Sequence, residues 1–142
     1  MSIQAILYRK GSSVAAIAPG ASIRNAAEKL REQNIAALVV KSADAVLGLI
    51  SEREIVHALA RHGERTGLTV GEVMARNIVT IAPEDSLKRA MSLMTRHRTR
   101  HLLVLRDGEL AGIVSIGEVI KHRLEDLELK TNIRSGVYAT AH

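Results

Sequence analysis

Apolar residues recur along this chain first at a helical and then at a strand-like period, and the alternation happens twice. Ile23, Ala26, Ala27 and Leu30 are spaced i, i+3, i+4, i+7, and so are Leu87, Ala90, Met91 and Met94. That spacing predicts two amphipathic helices with these faces inward, each with a serine, Ser22 or Ser86, at the N-cap position. Short apolar runs follow, Ala37-Leu38-Val39-Val40 and His101-Leu102-Leu103-Val104-Leu105. Turn residues come next (Ser42 and Asp44; Asp107 and Gly108), and then second runs, Val46 to Ile50 and Leu110 to Val114, so each stretch reads as a hairpin. A second helix should begin at Ser51 and again at Ser115, turning Ile55, Val56 and Leu59, or Val119, Ile120 and Leu124, toward the core.

The two stretches are copies. Ile17-Ala18-Pro19 returns as Ile81-Ala82-Pro83, and the offset of 64 residues then holds without a gap: Ala26 falls on Ala90, Leu38 on Leu102, Gly48 on Gly112, Ser51 on Ser115 and Glu54 on Glu118. The order in each copy is strand, helix, strand, strand, helix. The predicted class is therefore α/β (α+β), two βαββα motifs, the first over 8–64 and the second over 70–126, with a C-terminal tail over 127–142. A half of about 60 residues buries little apolar surface alone, so the copies are expected to pack sheet to sheet about a pseudo-twofold axis. The polar, glycine-bearing stretch from Arg61 through Glu64, Arg65 and Thr66 to Gly67 reads as the connector.

Composition narrows the chemistry. Of 142 residues, 46% are hydrophobic but only two, both tyrosines, are aromatic, so aliphatic side chains must fill the core and platforms for stacking bases are scarce. The absence of cysteine excludes a disulfide framework, a thiolate nucleophile and a cysteine zinc site. The apolar run within Met1 to Lys10 is too short for a signal peptide, and no stretch has membrane-spanning length; the expected setting is cytoplasmic, with no membrane partner. The formal charge is +5, and Lys88, Arg89, Arg96, Arg98, Arg100 and Arg106 follow one another with no acidic residue between them. This is a local positive field suited to an anion.

The candidate chemistry lies at the two strand-to-helix junctions, Gly48-Leu49-Ile50-Ser51-Glu52-Arg53-Glu54 and Gly112-Ile113-Val114-Ser115-Ile116-Gly117-Glu118. A hydroxyl at a helix N-terminus sits where free backbone N–H groups and the helix dipole favour phosphate. A carboxylate one turn later can accept from both hydroxyls of a ribose. Ser-x-x-Glu is equally the capping box, in which the two side chains satisfy each other's backbone N–H groups, and both roles can coexist.

These residues resemble the tandem CBS (cystathionine β-synthase) domain proteins, or Bateman modules. Gly48-Leu-Ile-Ser-Glu-Arg-Glu-Ile resembles the family's "GhhSERD" motif, and Gly112-Ile-Val-Ser-Ile-Gly-Glu-Val-Ile-Lys its "GhhSIGDhhK" motif. Arg100-His101-Leu102-Leu103-Val104 is similar to "RHLPV", and Val79-Thr80-Ile81-Ala82-Pro83 to the opening strand. The resemblance spans about residues 8 to 125 and is strongest to stand-alone, regulatory pairs that bind AMP, ATP, NAD or related nucleotides in the cleft between the motifs and form homodimers. It implies that Glu118 holds ribose and Ser115 contacts phosphate, with Gly117 beside them. Thr80 and the backbone of Ile78 would border adenine, and Arg98, Arg100, His101 and Leu102 would lie near the phosphates and sugar. Arg53 would reach across from the first motif, which offers Ser51, Glu54 and the strands around Ala16 and Ala37. Three positions depart from the pattern. Glu54 and Glu118 replace aspartate and extend each carboxylate by about one methylene. Ala16 stands at the place of Thr80, which ranks the second site above the first, and Leu103 replaces a proline. The implied ligand is AMP first, with ADP, ATP, NAD or S-adenosylmethionine as alternatives. The expected output is a conformational change read by the dimer itself or by an effector protein.

The rival function is nucleic-acid binding through Arg96-His97-Arg98-Thr99-Arg100-His101, whose charge suits a phosphate backbone. Against it stand the shortage of aromatics and the alternation of strand side chains between two faces. His97 and His101 have i, i+4 spacing, but the helix should end near His97 and the neighbours are arginines, so no metal site is expected there. His57, His62, His122 and His142 read as solvated, and Met91 and Met94 as core. No phosphate-binding glycine loop, dinucleotide turn or Ser-His-Asp arrangement is present in the sequence, so no enzymatic activity is expected.

Overall fold

A computed structural model describes residues 1–11, 14–63 and 67–135, with side chains as far as residue 129. Glu64, Arg65 and Thr66 of the connector, and 136–142 of the tail with His142, lie outside the described residues. The chain divides into two units, Ser13–Ile78 and a second formed by Met1–Ser12 with Val79–His142.

The first unit contains β1 (Ala16–Ile17), α2 (Ile23–Gln33), β2 (Ala37–Ser42), β3 (Ala45–Ser51), α3 (Glu52–His62) and the short α4 (Val70–Val73). The second contains α1 (Ile3–Lys10), β4 (Thr80–Ile81), α5 (Leu87–His97), β5 (His101–Arg106), β6 (Glu109–Ser115) and α6 (Ile116–Ser135). Each unit has a three-stranded sheet, ordered β1-β2-β3 or β4-β5-β6, whose first pair is parallel and second antiparallel. The repeat persists in its irregularities. Both hairpins shift register at one place, between Val40 and Lys41 and between Val104 and Leu105, and Asn34 and Arg98 both end their helices in the left-handed conformation. Ser22 accepts from the Asn25 N–H and Ser86 from the Arg89 N–H, each at 3.0 Å, so both predicted N-caps form.

Each core is closed by a helix that the repeat at offset 64 does not reveal. In the first unit α4 places Val70 and Met74 against Ala26, Leu30, Leu38, Val40 and Ile50. In the second α1 places Ile3, Ile6 and Leu7 against Leu87, Ala90, Leu102, Val104 and Val114. The two helices dock by the same bonds. The Val70 and Gly71 N–H groups donate to the carbonyls of Ala21 and Pro19, and those of Ile3 and Gln4 donate to Asp85 and Pro83. Leu7 thus stands where Met74 stands.

Five inward assignments and one outward assignment are corrected. Val119 is buried as expected, but Val56, Leu59, Ile120 and Leu124 are exposed, because α3 buries Ala58 and α6 buries His122 in their place. Met91 is also exposed, while Leu93 beside Met94 is buried. His122, expected in solvent, is 5% exposed and its Nδ1 lies 3.1 Å from the Met1 sulfur. The stretch read as a weakly patterned tail carries α6 on to Ser135.

Candidate functional site

The glycine of each junction lies directly against the closing segment. A Cβ at Gly48 would lie 2.5 Å from the Ala75 carbonyl oxygen and 2.9 Å from the Met74 sulfur; one at Gly112 would lie 2.5 Å from Leu7 Cδ2. On β3 the obstacle is backbone, so only a residue without a side chain lets the strand run this close; on β6 it is the end of the Leu7 side chain.

Three residues further on, both capping boxes are formed. In the first unit the Ser51 N–H and hydroxyl donate to Glu54 Oε1 at 2.8 and 2.7 Å, and Ser51 Oγ accepts from the Arg53 N–H at 3.3 Å. In the second the Ser115 N–H and hydroxyl donate to Glu118 Oε1 at 3.0 and 3.1 Å, and Ser115 Oγ accepts from the Glu118 N–H at 3.3 Å. Glutamate in place of aspartate has a physical reason here, since the longer side chain reaches back to its own N-cap. In both junctions the serine N–H and hydroxyl converge on the same carboxylate oxygen, Oε1.

Around Glu118 the sheet gathers several of the predicted site residues. His101 faces Ser115 across the β5–β6 pair, Leu102 is buried opposite Val114, and the Ile116 N–H donates to the Arg100 carbonyl at 2.9 Å. Thr80, exposed, pairs with Leu103 at the same end of the sheet, where β4 and β5 begin and β6 ends. Gly117 is exposed in the first turn of α6, and Arg98 is exposed at the left-handed end of α5. In the first unit Ala37 pairs with Ser51, Ala16 with Val39, and Arg53 is exposed beside Glu54. Ile78 is half-buried at the end of that unit.

One functional contact escaped the sequence. Lys10, in the last turn of α1, donates from Nζ to Glu118 Oε1 at 2.9 Å and to the Ile113 carbonyl at 2.5 Å. Beside it Arg9 pairs with Glu125 at 2.8 Å. Burial alone would raise the Glu118 carboxyl, but the hydrogen bond and charge of Lys10, with the backbone and hydroxyl of Ser115, outweigh it and hold the group below its ordinary value. No local motif marks Lys10; the signal would have been Ile3-x-x-Ile6-Leu7 matching Val70-x-x-Val73-Met74 at an offset of 67 rather than 64.

The basic run does not form one stripe. Arg96 is exposed on α5, Arg98 follows at its cap, Arg100 precedes β5, and Arg106 hydrogen-bonds to Gln4. The helix ends at His97, so His97 and His101 do not share a helical face. Among the described residues no group of three His, Cys, Asp or Glu is placed to hold a metal ion, and no helix is long and apolar enough to cross a membrane.

Paired βαββα units with a capped, glycine-bearing junction in each define a class of tandem small-domain proteins. The sequence profile of the CBS domain matches residues 11–61 and 70–125, and the chain belongs to that family as a CBS-domain pair. A CBS-domain containing protein from Agrobacterium tumefaciens, of known crystal structure, is 38% identical, with a TM-score of 0.83 covering 87% of this chain and 99% of that one. A mitochondrial CBS domain-containing protein of Arabidopsis thaliana is 33% identical over 126 residues, 81% of this chain and 61% of that one. A 33.4 kDa protein in the ribosomal RNA operon of Thermofilum pendens is 37% identical over 122 residues, 83% of this chain and 40% of that one. The chain thus spans less than two thirds of these two relatives. The CBS domain pair of a further protein, solved in complex with 5′-methylthioadenosine and S-adenosyl-L-methionine, shares the fold at 22% identity, with a TM-score of 0.74 covering 89% of this chain and 98% of that one.

Proposed function

We propose that this CBS pair is a cytoplasmic, non-catalytic regulatory protein that binds an adenine nucleotide, AMP first and ADP, ATP or NAD as alternatives. The observation that supports this reading is the repeated junction, where a serine and a glutamate carboxylate meet at the N-terminus of a helix in both units. Thr80, Arg98, Arg100, His101, Leu102, Ser115, Gly117 and Glu118 are the proposed site residues of the second unit, which is the better site, and Ile78, Ala37, Ser51, Arg53 and Glu54 are those of the first. The complex of another CBS pair with methylthioadenosine and S-adenosylmethionine supports an adenosine core as the shared element. A ligand with unequal affinity for two conformations would shift their balance, and a partner protein or the chain's own dimer would read that shift. Exposed apolar side chains support self-association: Val56 and Leu59 on α3, and Ile116, Ile120, Leu124 and Leu127 on α6.

Calorimetry and thermal-shift assays against AMP, ADP, ATP, NAD, S-adenosylmethionine and a short DNA duplex test the reading. Saturable binding of an adenosine ligand is expected, abolished or much weakened by Glu118→Ala. A Glu118→Ala variant that loses about 1 kcal/mol of stability and keeps its affinity would reduce the junction to a helix cap. Silence from every nucleotide with salt-sensitive DNA binding would transfer the function to the arginine run.

A further inference from the structure

The second junction holds an ammonium group that has no charged counterpart at the matching place in the first. Lys10 bonds both Glu118 and the Ile113 carbonyl, and the neighbouring Arg9–Glu125 pair fastens the same turn of α1 to α6. At the matching place in the first unit, 67 residues on, stands Asn77, which carries no charge. There the edge of β3 is satisfied differently: the Leu49 N–H donates to the Ala75 carbonyl at 3.0 Å and the Ala75 N–H to Leu49 at 2.8 Å. Thus the chain leaves the closing helix after Met74 to pair as backbone, whereas α1 stays helical through Lys10 and serves the Ile113 carbonyl with an ammonium group.

We infer that Lys10 sets the ligand class of the second junction, making it selective for phosphate-bearing nucleotides over neutral or cationic nucleosides. The inference rests on the nucleotide reading above. A ribose that takes hydrogen bonds at Glu118 must share or displace its ammonium partner. With a neutral nucleoside the displaced Lys10 keeps only the Ile113 carbonyl and water, and a charge-assisted bond is lost without replacement. A cationic ligand such as S-adenosylmethionine adds repulsion to that loss. A 5′-phosphate gives the freed ammonium a new anion, and the flexible four-carbon stem of lysine lets it follow. Both Lys10 and Glu118 side chains are 31% exposed, open enough for the exchange and sheltered enough for the charge to count.

The test is calorimetric titration of the full chain with AMP and with adenosine, for wild type, Lys10→Met, Lys10→Arg and Glu118→Gln. The part of the affinity lost in Glu118→Gln reports the second junction. The ratio of AMP to adenosine affinity there should fall at least about tenfold in Lys10→Met, the scale of one charge-assisted hydrogen bond, and be largely kept in Lys10→Arg. Ligand-free melting of each variant separates a folding defect from a change of selectivity, and Lys10→Gln repeats the measurement if Lys10→Met is poorly folded. An unchanged ratio with binding that still depends on Glu118 overturns the role of Lys10 alone. Binding of neither ligand, or binding indifferent to Glu118→Gln, overturns the nucleotide reading of this junction and the inference with it.

Discussion

Gly48→Ala and Gly112→Ala are the same substitution at the same place in the repeat, yet they should differ in cost. At position 48 the new methyl would meet the Ala75 carbonyl oxygen at 2.5 Å. That oxygen is backbone and already accepts from Leu49, while Ala75 donates in return, so relief requires moving both hydrogen bonds. At position 112 the nearest atom is Leu7 Cδ2, also at 2.5 Å, but the rest of Leu7 is 3.7 Å away or more and a change of rotamer can clear the space. Overpacking costs about 1–3 kcal/mol, each disturbed hydrogen bond about 1 kcal/mol, and replacing glycine within a strand returns about 0.5–1 kcal/mol. The expected loss is therefore about 2–4 kcal/mol for Gly48→Ala and about 0–1.5 kcal/mol for Gly112→Ala. Urea unfolding followed by circular dichroism measures both, with the denaturant slope checked for constancy. Equal losses, or a greater loss at Gly112, would refute the account of the closing segments. Leu7→Ala combined with Gly112→Ala should cost less than the sum of the single changes, because both act on one contact.

Ser51→Ala should lower stability by about 1–2 kcal/mol in the same assay, since Ser51 is buried and anchors both halves of the α3 cap. The Glu118 carboxyl is held below its ordinary value of 4.5, so its folded form is favoured when ionised. Its contribution is complete above that unfolded value and is lost as pH falls through the lower folded value; Lys10→Met should flatten this acid-side loss of melting temperature. Ala43 turns the β2–β3 hairpin at φ 54°, where a Cβ is unfavourable, so Ala43→Gly should stabilise the chain by up to about 1 kcal/mol in thermal melts.

What the sequence made legible was whatever recurs at a constant spacing. The strands, the caps at Ser22, Ser86, Ser51 and Ser115, and the glycine junctions follow from the offset of 64 because each copy met the same local demands. The closing helices did not, since three extra residues shift their register to 67 and α4 has only four residues against eight in α1. The faces of α3 and α6 were misassigned for a different reason. Helical periodicity finds apolar positions but not which of them the core has room for, and these two helices carry apolar side chains on more than one side. Ala58 and His122 take the buried places, and Val56, Leu59, Ile120 and Leu124 are left outside. Lys10 was invisible because its partner lies 108 residues away and no motif links them.

The placement of the closing helices also imposes an order in time. In the first unit α4 follows α3 directly, so every element of that core is in hand once residue 78 has been made, and the unit can close while the rest of the chain is still being synthesised. In the second unit α1 is made before any of the elements it packs on, and Lys10 must wait for Glu118. The residues Ile3, Ile6 and Leu7 therefore remain without their native partners longest, and loop closure over that distance is slow as well as late. During synthesis the stretch most in need of protection from wrong contacts is α1, which emerges before every element it packs on.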